Sequence, residues 1–438
     1  MDASAHFKGQ KITVMGLGLL GRGLGDAAYL AECGAELIVT DLKSKEELAS
    51  SVEQLSHFPN ITFVLGEHRL EDFDNRDMIL KAAGVPLDSI YIAEAKKNNI
   101  PVRMSADLFA EISATQIIGV TGTRGKSSVS HMIHAILKES DVPVVLGGNV
   151  RGVSTLALLK EVSPAYTAVL ELDSWQCQGW GEVGMSPHIA VFTTLYPDHL
   201  NYYHDDLDAY LRDKAQIFLH QHEADTLVLG KQCAPTVIDK YGEQILSKII
   251  VADESKLPED WVLKVPGMHN RYNAALALQA ARTAGVDDEI SRKALESFGG
   301  VPGRLELVRE VKGVKIYNDT TATTPEATAA ALEALDPEHQ KNIVLIAGGS
   351  DKGLDMGKLH AAIDAHAKKV LFLSGTGTDK FKSEGDATYD SLEEVVQQAF
   401  EAAESGDSIL LSPAFASFGM FKNEFDRGDQ FNSIVEKL

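Results

Sequence analysis

The stretch GVTGTRGKSS at residues 119–128 carries the densest set of chemistry-bearing residues in this 438-residue chain. The apolar run TQIIGVTG leads into it and the helical pattern SVSHMIHAILKES follows. A strand that turns through glycines into a helix aims converging backbone N–H groups at an anion. A lysine there adds a point charge, and a following hydroxyl can ligate Mg²⁺. The glycines are Gly119, Gly122 and Gly125, with Val120 where strict phosphate-loop spacing would have glycine. The spacing departs while the physics survives, so Gly122, Thr123, Arg124, Gly125, Lys126, Ser127 and Ser128 are expected to cradle the phosphates of ATP.

A second cluster, GLGLLGRG at 16–23, places Gly16, Gly18 and Gly21 between the strand KITVMGLG and a helix near 22–33. Asp41 ends the next strand, AELIVTD, twenty residues past Gly21. This is the dinucleotide fingerprint: a tight turn, close backbone approach to a diphosphate, and a helix N-terminus facing anionic oxygens. It reports a diphosphate beside a nucleoside, not hydride transfer. A nicotinamide dehydrogenase would use 16–41 but leave the ATP loop idle.

Carboxylates flank the ATP loop's own sheet. AVLELDSWQ puts Glu171 near a strand end, with Asp173, Ser174 and Gln176 after it, and FTTLYPDHL puts Asp198 and His199 after another strand. Ligands of open α/β sheets bind beyond the strand carboxyl ends, so Glu171 is placed to reach a metal at the loop. His199 beside such a site is a ligand candidate. Lys214, in YLRDKAQIF, falls on a helical pattern among Leu211, Ile217 and Phe218. Most such lysines run their stems along apolar surface to water, so the pattern alone gives it no role.

Short apolar strands alternate with longer helical patterns throughout, the signature of parallel α/β sheets. Breaks near 113–116 and 298–303 divide the chain into expected domains at 1–113, 114–300 and 301–438. Forty-one basic against 63 acidic residues leave a net charge of −22, a poor match for nucleic acid or an anionic membrane. Three scattered cysteines, Cys33, Cys177 and Cys233, fit a reducing compartment. The N-terminus lacks an apolar signal core, and no apolar run approaches a membrane span. A cytoplasmic protein is expected.

The ordered set GVTGTRGKSS, LELDSWQ, Asp198–His199, GMHNRYN, PGRLE, NDTTATTPEA and LLSPAFASFGMFKNEFDRGDQF resembles the Mur ligases over essentially the whole chain. The resemblance implies a Rossmann-like UDP-binding domain, a central P-loop ATPase-type domain and a C-terminal Rossmann-like domain. It also implies a monomer that ligates D-glutamate to UDP-N-acetylmuramoyl-L-alanine with ATP, through an acyl phosphate. By the same resemblance Lys126 grips the phosphates, and Ser127 with Glu171 holds one Mg²⁺. His199 and a carbamylated Lys214 hold a second, while Asn270, Asn273, Arg304 and Asp319 serve the nucleotide. Gly18, Leu19, Leu20 and Asp41 meet the uridine diphosphate, Asn149 and Gln176 the rest of that substrate, and Lys352, Ser417, Thr323 and Lys422 the amino acid. A ligase for another amino acid such as L-glutamate, a folylpolyglutamate synthase, and a non-catalytic UDP-sugar-binding homologue are the competing readings.

Three positions depart from the family pattern: Thr321 replaces a lysine, Asp173 a serine, and Glu424 stands where an aromatic is expected. Losing a cation and gaining a carboxylate makes the amino-acid pocket less positive unless Lys422 or Arg427 compensates. At an effective dielectric near 20, one unit charge at about 4 Å is worth roughly 4 kcal/mol before screening. D-Glutamate is therefore expected to be used in preference to L-glutamate but bound weakly, with Lys352→Ala losing most of the remaining affinity. ADP release against a panel of D- and L-amino acids checks this, and neutral amino acids outcompeting D-glutamate would contradict it.

Overall fold

A computed structural model describes residues 3–19, 21–383 and 385–438. The described residues form three sheets. The first holds β1 (Lys11–Met15), β2 (Glu36–Asp41), β3 (Ile61–Leu65), β4 (Met78–Lys81) and β5 (Val102–Arg103), all parallel in the order β3-β2-β1-β4-β5. The second holds β6 (Gln116–Thr121), β7 (Val144–Gly148), β8 (Thr167–Glu171), β9 (Ile189–Phe192), β10 (Thr226–Gly230) and β11 (Lys248–Ala252), parallel in the order β11-β10-β9-β6-β8-β7. The third holds β12 (Glu306–Val311), β13 (Val314–Asn318), β14 (Ile343–Gly348), β15 (Ala367–Leu373), β16 (Thr388–Tyr389) and β17 (Ser408–Leu411), in the order β12-β13-β17-β14-β15-β16.

The central strands are apolar on both faces because helices cover both sides of a parallel sheet. On β14, Ile343, Leu345 and Ala347 enter one core and Val344 and Ile346 the other, the period-two alternation of a strand. The exception is β12, an antiparallel edge strand carrying Glu306, Arg309 and Glu310, with a register irregularity between Leu307 and Arg309. Charge and a bulge are ordinary protection for an exposed edge.

The chain folds as two compact units: residues up to Glu259 with Tyr272–Leu295, and Asp260–Arg271 with Glu296–Leu438. The first unit contains two sheets because one continuous core runs through both, from Ile12, Val14 and Leu37 to Ala168, Leu170 and Phe192. In the second unit the helix Glu424–Val435 is capped by Asn423, whose Oδ1 accepts from the Phe425 and Asp426 amides, and it drives the fully buried Phe431 into the sheet. Phe431→Ala is expected to cost this unit about 3–5 kcal/mol. Urea denaturation measures it, and a loss under about 1 kcal/mol would show that the site collapses around the truncated residue.

Candidate active site

The expected phosphate loop joins β6 to the helix Lys126–Glu139 in the first unit. Gly122 and Gly125 have φ of 138° and 89°. Both positions also lack room for a side chain: a Cβ on Gly122 would lie 2.0 Å from Thr193 Oγ1, and one on Gly125 2.5 Å from Asn273 Oδ1. The loop is held from the end of β9. Thr123 N–H donates to Thr194 O (2.7 Å), Arg124 N–H to Thr194 Oγ1 (2.9 Å), and Thr193 Oγ1 to Arg124 O (2.5 Å). The Thr123 hydroxyl donates to Tyr196 O (3.1 Å), so it braces the loop. Lys126 Nζ curls over the loop, donating to the carbonyls of Gly122 (2.9 Å) and Thr123 (3.1 Å). Ser127 and Ser128 open the helix, both half-buried.

Glu171 ends β8 with Val120 of β6 as its register partner, and it is 4% exposed. Its backbone carbonyl accepts from Asn149 N–H (2.7 Å) and its Oε1 from Asn149 Nδ2 (3.4 Å). Asn149 Oδ1 in turn accepts from Arg22 Nη1. Lys214 does not reach water as its helical pattern suggested. It is 1% exposed on the helix Leu207–Leu219, its Nζ donating to Gly122 O (2.9 Å) and Thr121 Oγ1 (3.4 Å) and lying 4.7 Å from the Tyr210 ring centroid. Burial and the neighbouring Lys126 charge lower its pKa to about 7.

His199 adopts φ 54°, sparsely populated for a residue with a side chain, and its ring packs 4.8 Å from that of Trp175. Desolvation lowers its pKa, as do the charges of Lys126 and Lys214, which favours the neutral imidazole that metals bind. Asp198 lies 3.3 Å from Arg124 Nη1. Among the described residues no group of three or more His, Cys, Asp or Glu could hold a metal ion.

The first glycine loop joins β1 to the helix Arg22–Glu32. Gly16, Gly18 and Gly21 have φ of 99°, 64° and 82°, with Gly21 capping the helix Arg22–Glu32. Asp41 Oδ2 accepts from Gly18 N–H (2.9 Å) and its Oδ1 from Lys43 N–H (2.9 Å), so this carboxylate shapes the loop. Leu19 is exposed, and Leu20 lies outside the described residues. A cavity of about 260 Å³ opens here, lined by Gly16, Gly18, Leu19, Arg22, Gly148 and Gln176 among others. Gln176 and Asp173 form a reciprocal helix cap (2.8 and 3.1 Å), which gives the unexpected Asp173 a structural job.

In the second unit Lys352 Nζ donates to Thr323 O (3.1 Å) and Oγ1 (3.0 Å), so those two candidates meet. Ser417 is buried beside Ala416, whose backbone pairs with Ser350 (2.9 and 3.2 Å). Lys422 is exposed, its backbone N–H donating to Asp426 (3.0 Å). Arg427 feels the charge of Glu424. It is 1% exposed, donates to Thr320 Oγ1 (3.1 Å) and O (2.8 Å), and has a pKa lowered by burial to about 10, with Glu424 opposing that shift. Asp319 accepts from Ser412 Oγ (2.8 Å) and Leu305 N–H (3.1 Å); burial raises its pKa to about 7, opposed in part by the exposed Arg304. Asn270 Nδ2 donates to Pro266 O (2.7 Å). Thr321 Oγ1 donates to Gly303 O (2.9 Å).

Three family descriptions match the chain in order: "Mur ligase MurD-like, N-terminal domain" at 10–104, "Mur ligase middle domain" at 120–262, and "Mur ligase, glutamate ligase domain" at 303–415. The chain is 36% identical to a UDP-N-acetylmuramoylalanine--D-glutamate ligase of Roseiflexus sp. (strain RS-1), over 98% of this chain and 99% of that protein. It belongs to the Mur ligase family. A protein of the same name from Borreliella burgdorferi (strain ZS7) is 33% identical over 99% of both chains. Solved Mur ligases share the fold: a UDP-N-acetylmuramate-alanine ligase from Thermotoga maritima at TM-score 0.63, 19% identical over 98% of this chain and 99% of its own. The MurF ligase from the same organism, in complex with ADP, has TM-score 0.59 and 17% identity over 99% of this chain and 97% of its own.

In this Mur ligase sequence reasoning passed over Thr193, Thr194, Arg22 and Lys43. The paired threonines closing the β9 run, and cations next to a glycine loop, were the available signals.

The Lys214 site has a pH signature. Unfolded, this amine keeps its proton to about pH 10.5, folded only to about 7. Between those values the unfolded state binds more protons, so this site's contribution to stability rises with pH. Below about pH 7 the slope vanishes and the cost of burying the charge is felt in full. Lys214→Met, compared with the native chain in CO₂-free buffer, should be relatively most stable near pH 6, with the difference shrinking towards pH 10. Urea midpoints read this, and a pH-independent difference would mean that the folded amine titrates normally.

Proposed function

We propose that this Mur ligase joins the amine of D-glutamate to the alanyl carboxylate of UDP-N-acetylmuramoyl-L-alanine in peptidoglycan precursor synthesis, consuming ATP and releasing ADP and phosphate. The names of its full-length relatives support the reaction. One corner of the first unit carries the reading: the Lys214 amine sits 2.9 Å from the phosphate-loop carbonyl of Gly122, and the buried Glu171 carboxylate ends the strand beside it. It acts as a monomer in the cytoplasm.

A carboxylate is a poor electrophile, and phosphorylation by ATP turns one of its oxygens into a leaving group. The loop N–H groups and Lys126 bind the phosphates and offset charge as the γ-phosphoryl moves. The cavity at Gly16–Gly18 anchors the UDP, so that the alanyl carboxylate is delivered by a fixed tether. The glutamate amine attacks the acyl carbon of the resulting acyl phosphate, and inorganic phosphate departs from the tetrahedral intermediate. Lys352, Thr323 and Ser417 supply a cation and hydroxyls for the amino acid, with Lys422 at the same corner.

Mg²⁺, when bound, offsets the repulsion between the γ-phosphate and the carboxylate. Ser127 and Glu171 would hold one ion, and His199 with a carbamylated Lys214 a second. The donors fit: Glu171 is a buried carboxylate with, among the described residues, a single long side-chain hydrogen bond, a group that is costly to bury without a cation. Carbamylation needs a neutral amine, and the buried setting of Lys214 provides one.

ADP release with UDP-N-acetylmuramoyl-L-alanine and D-glutamate tests the reaction; no ADP above the acceptor-free background would overturn it. Lys126→Ala is expected to abolish turnover while melting like the native protein. Lys214→Ala should be nearly inactive and regain activity with added acetate or formate, which replace the carbamate oxygens. Undiminished turnover in Lys214→Ala would remove the carbamate from the mechanism.

A further inference from the structure

Lys81, at the end of β4, lines the cavity at the first glycine loop yet is only 4% exposed. Its ammonium has three donors, and among the described residues one partner, Val85 O at 3.1 Å. The carboxylates whose charge it feels, Asp173 first and then Glu182 and Asp107, make no ion pair with it. Burial without a contacting counter-ion lowers its pKa to about 8. Such a lysine is expensive to keep, and a methionine would fill the same space without that cost. The residue does line a cavity, together with Gly16, Gly18 and Arg22. Three cations, Arg22, Lys43 and Lys81, line it against one carboxylate, Asp26, in a chain of net charge −22.

We propose that Lys81 is a substrate-contacting residue whose ammonium hydrogen-bonds an anionic oxygen of the UDP-sugar held in this cavity. The inference rests on the proposed UDP-sugar substrate and adds a residue to its recognition. That oxygen belongs either to the diphosphate or to the alanyl carboxylate, and the two are separable. Buried charged hydrogen bonds of this kind are worth about 10- to 100-fold in affinity.

The test is calorimetric titration of the native chain and Lys81→Met with UDP, UDP-N-acetylglucosamine and UDP-N-acetylmuramoyl-L-alanine, with melting curves to confirm the fold. A diphosphate contact weakens all three ligands by about 10- to 100-fold, whereas a carboxylate contact weakens only the third. Affinity for ATP and the melting temperature should not fall. If Lys81→Met lacks a native melting curve, Lys81→Gln takes its place in the same titrations. Equal affinities in variant and native protein for all three ligands would overturn the assignment. A native chain that binds none of them would instead overturn the proposed substrate and leave the assignment without its basis.

Discussion

The first unit depends on the shape of the glycine loop after β6, where Gly122 and Gly125 hold positive φ. Something must fix that shape. Here the end of β9 does so: Thr193 and Thr194 take up the loop's inward-facing donors and acceptors through backbone and side-chain oxygens. The contact is so close that Gly122 has no room for a Cβ. The parallel β6–β9 pairing that aligns Thr121 with Phe192 sets this register, so sheet and site are one structure.

A net charge of −22 sets a second constraint, because the reaction gathers polyanions. The chain places two lysines at depth, where the effective dielectric is low and charge interactions are strong. Lys214 lies beneath the phosphate loop and Lys81 lines the cavity at the glycine turn, each without a contacting carboxylate among the described residues. Both amines are pushed toward neutrality by burial, and for Lys214 that is what carbamate chemistry requires.

The second unit treats charge differently. Thr321 and Glu424 suggested a pocket less positive unless Lys422 or Arg427 compensates, and Arg427 is folded inward on Thr320 with Glu424 supporting its ionised form. The carboxylate thereby stabilises a buried cation that braces the turn after β13. Lys352 meanwhile is held on Thr323, so its charge is positioned by the start of the following helix.

Local chemistry made much of this legible without coordinates. Glycines required at positive φ mark both anion loops, apolar runs of strand length mark the sheets, and Asp41 and Glu171 fall at strand ends because that is where parallel strands deliver side chains. The edge strand β12 escaped notice because its charged alternation reads as loop, and its strand character comes from pairing with β13. Lys214 escaped for a related reason. A helical pattern specifies which face turns inward, but not that a lysine on that face finds a loop carbonyl instead of water. Lys81 is likewise silent in sequence, since only the packing of two sheets into one unit closes a cavity around its strand end. Residue type and spacing determined which groups could do chemistry. Burial, long-range hydrogen bonds and the company of other charges, which depend on residues distant in the chain, decided which of them are placed to do it.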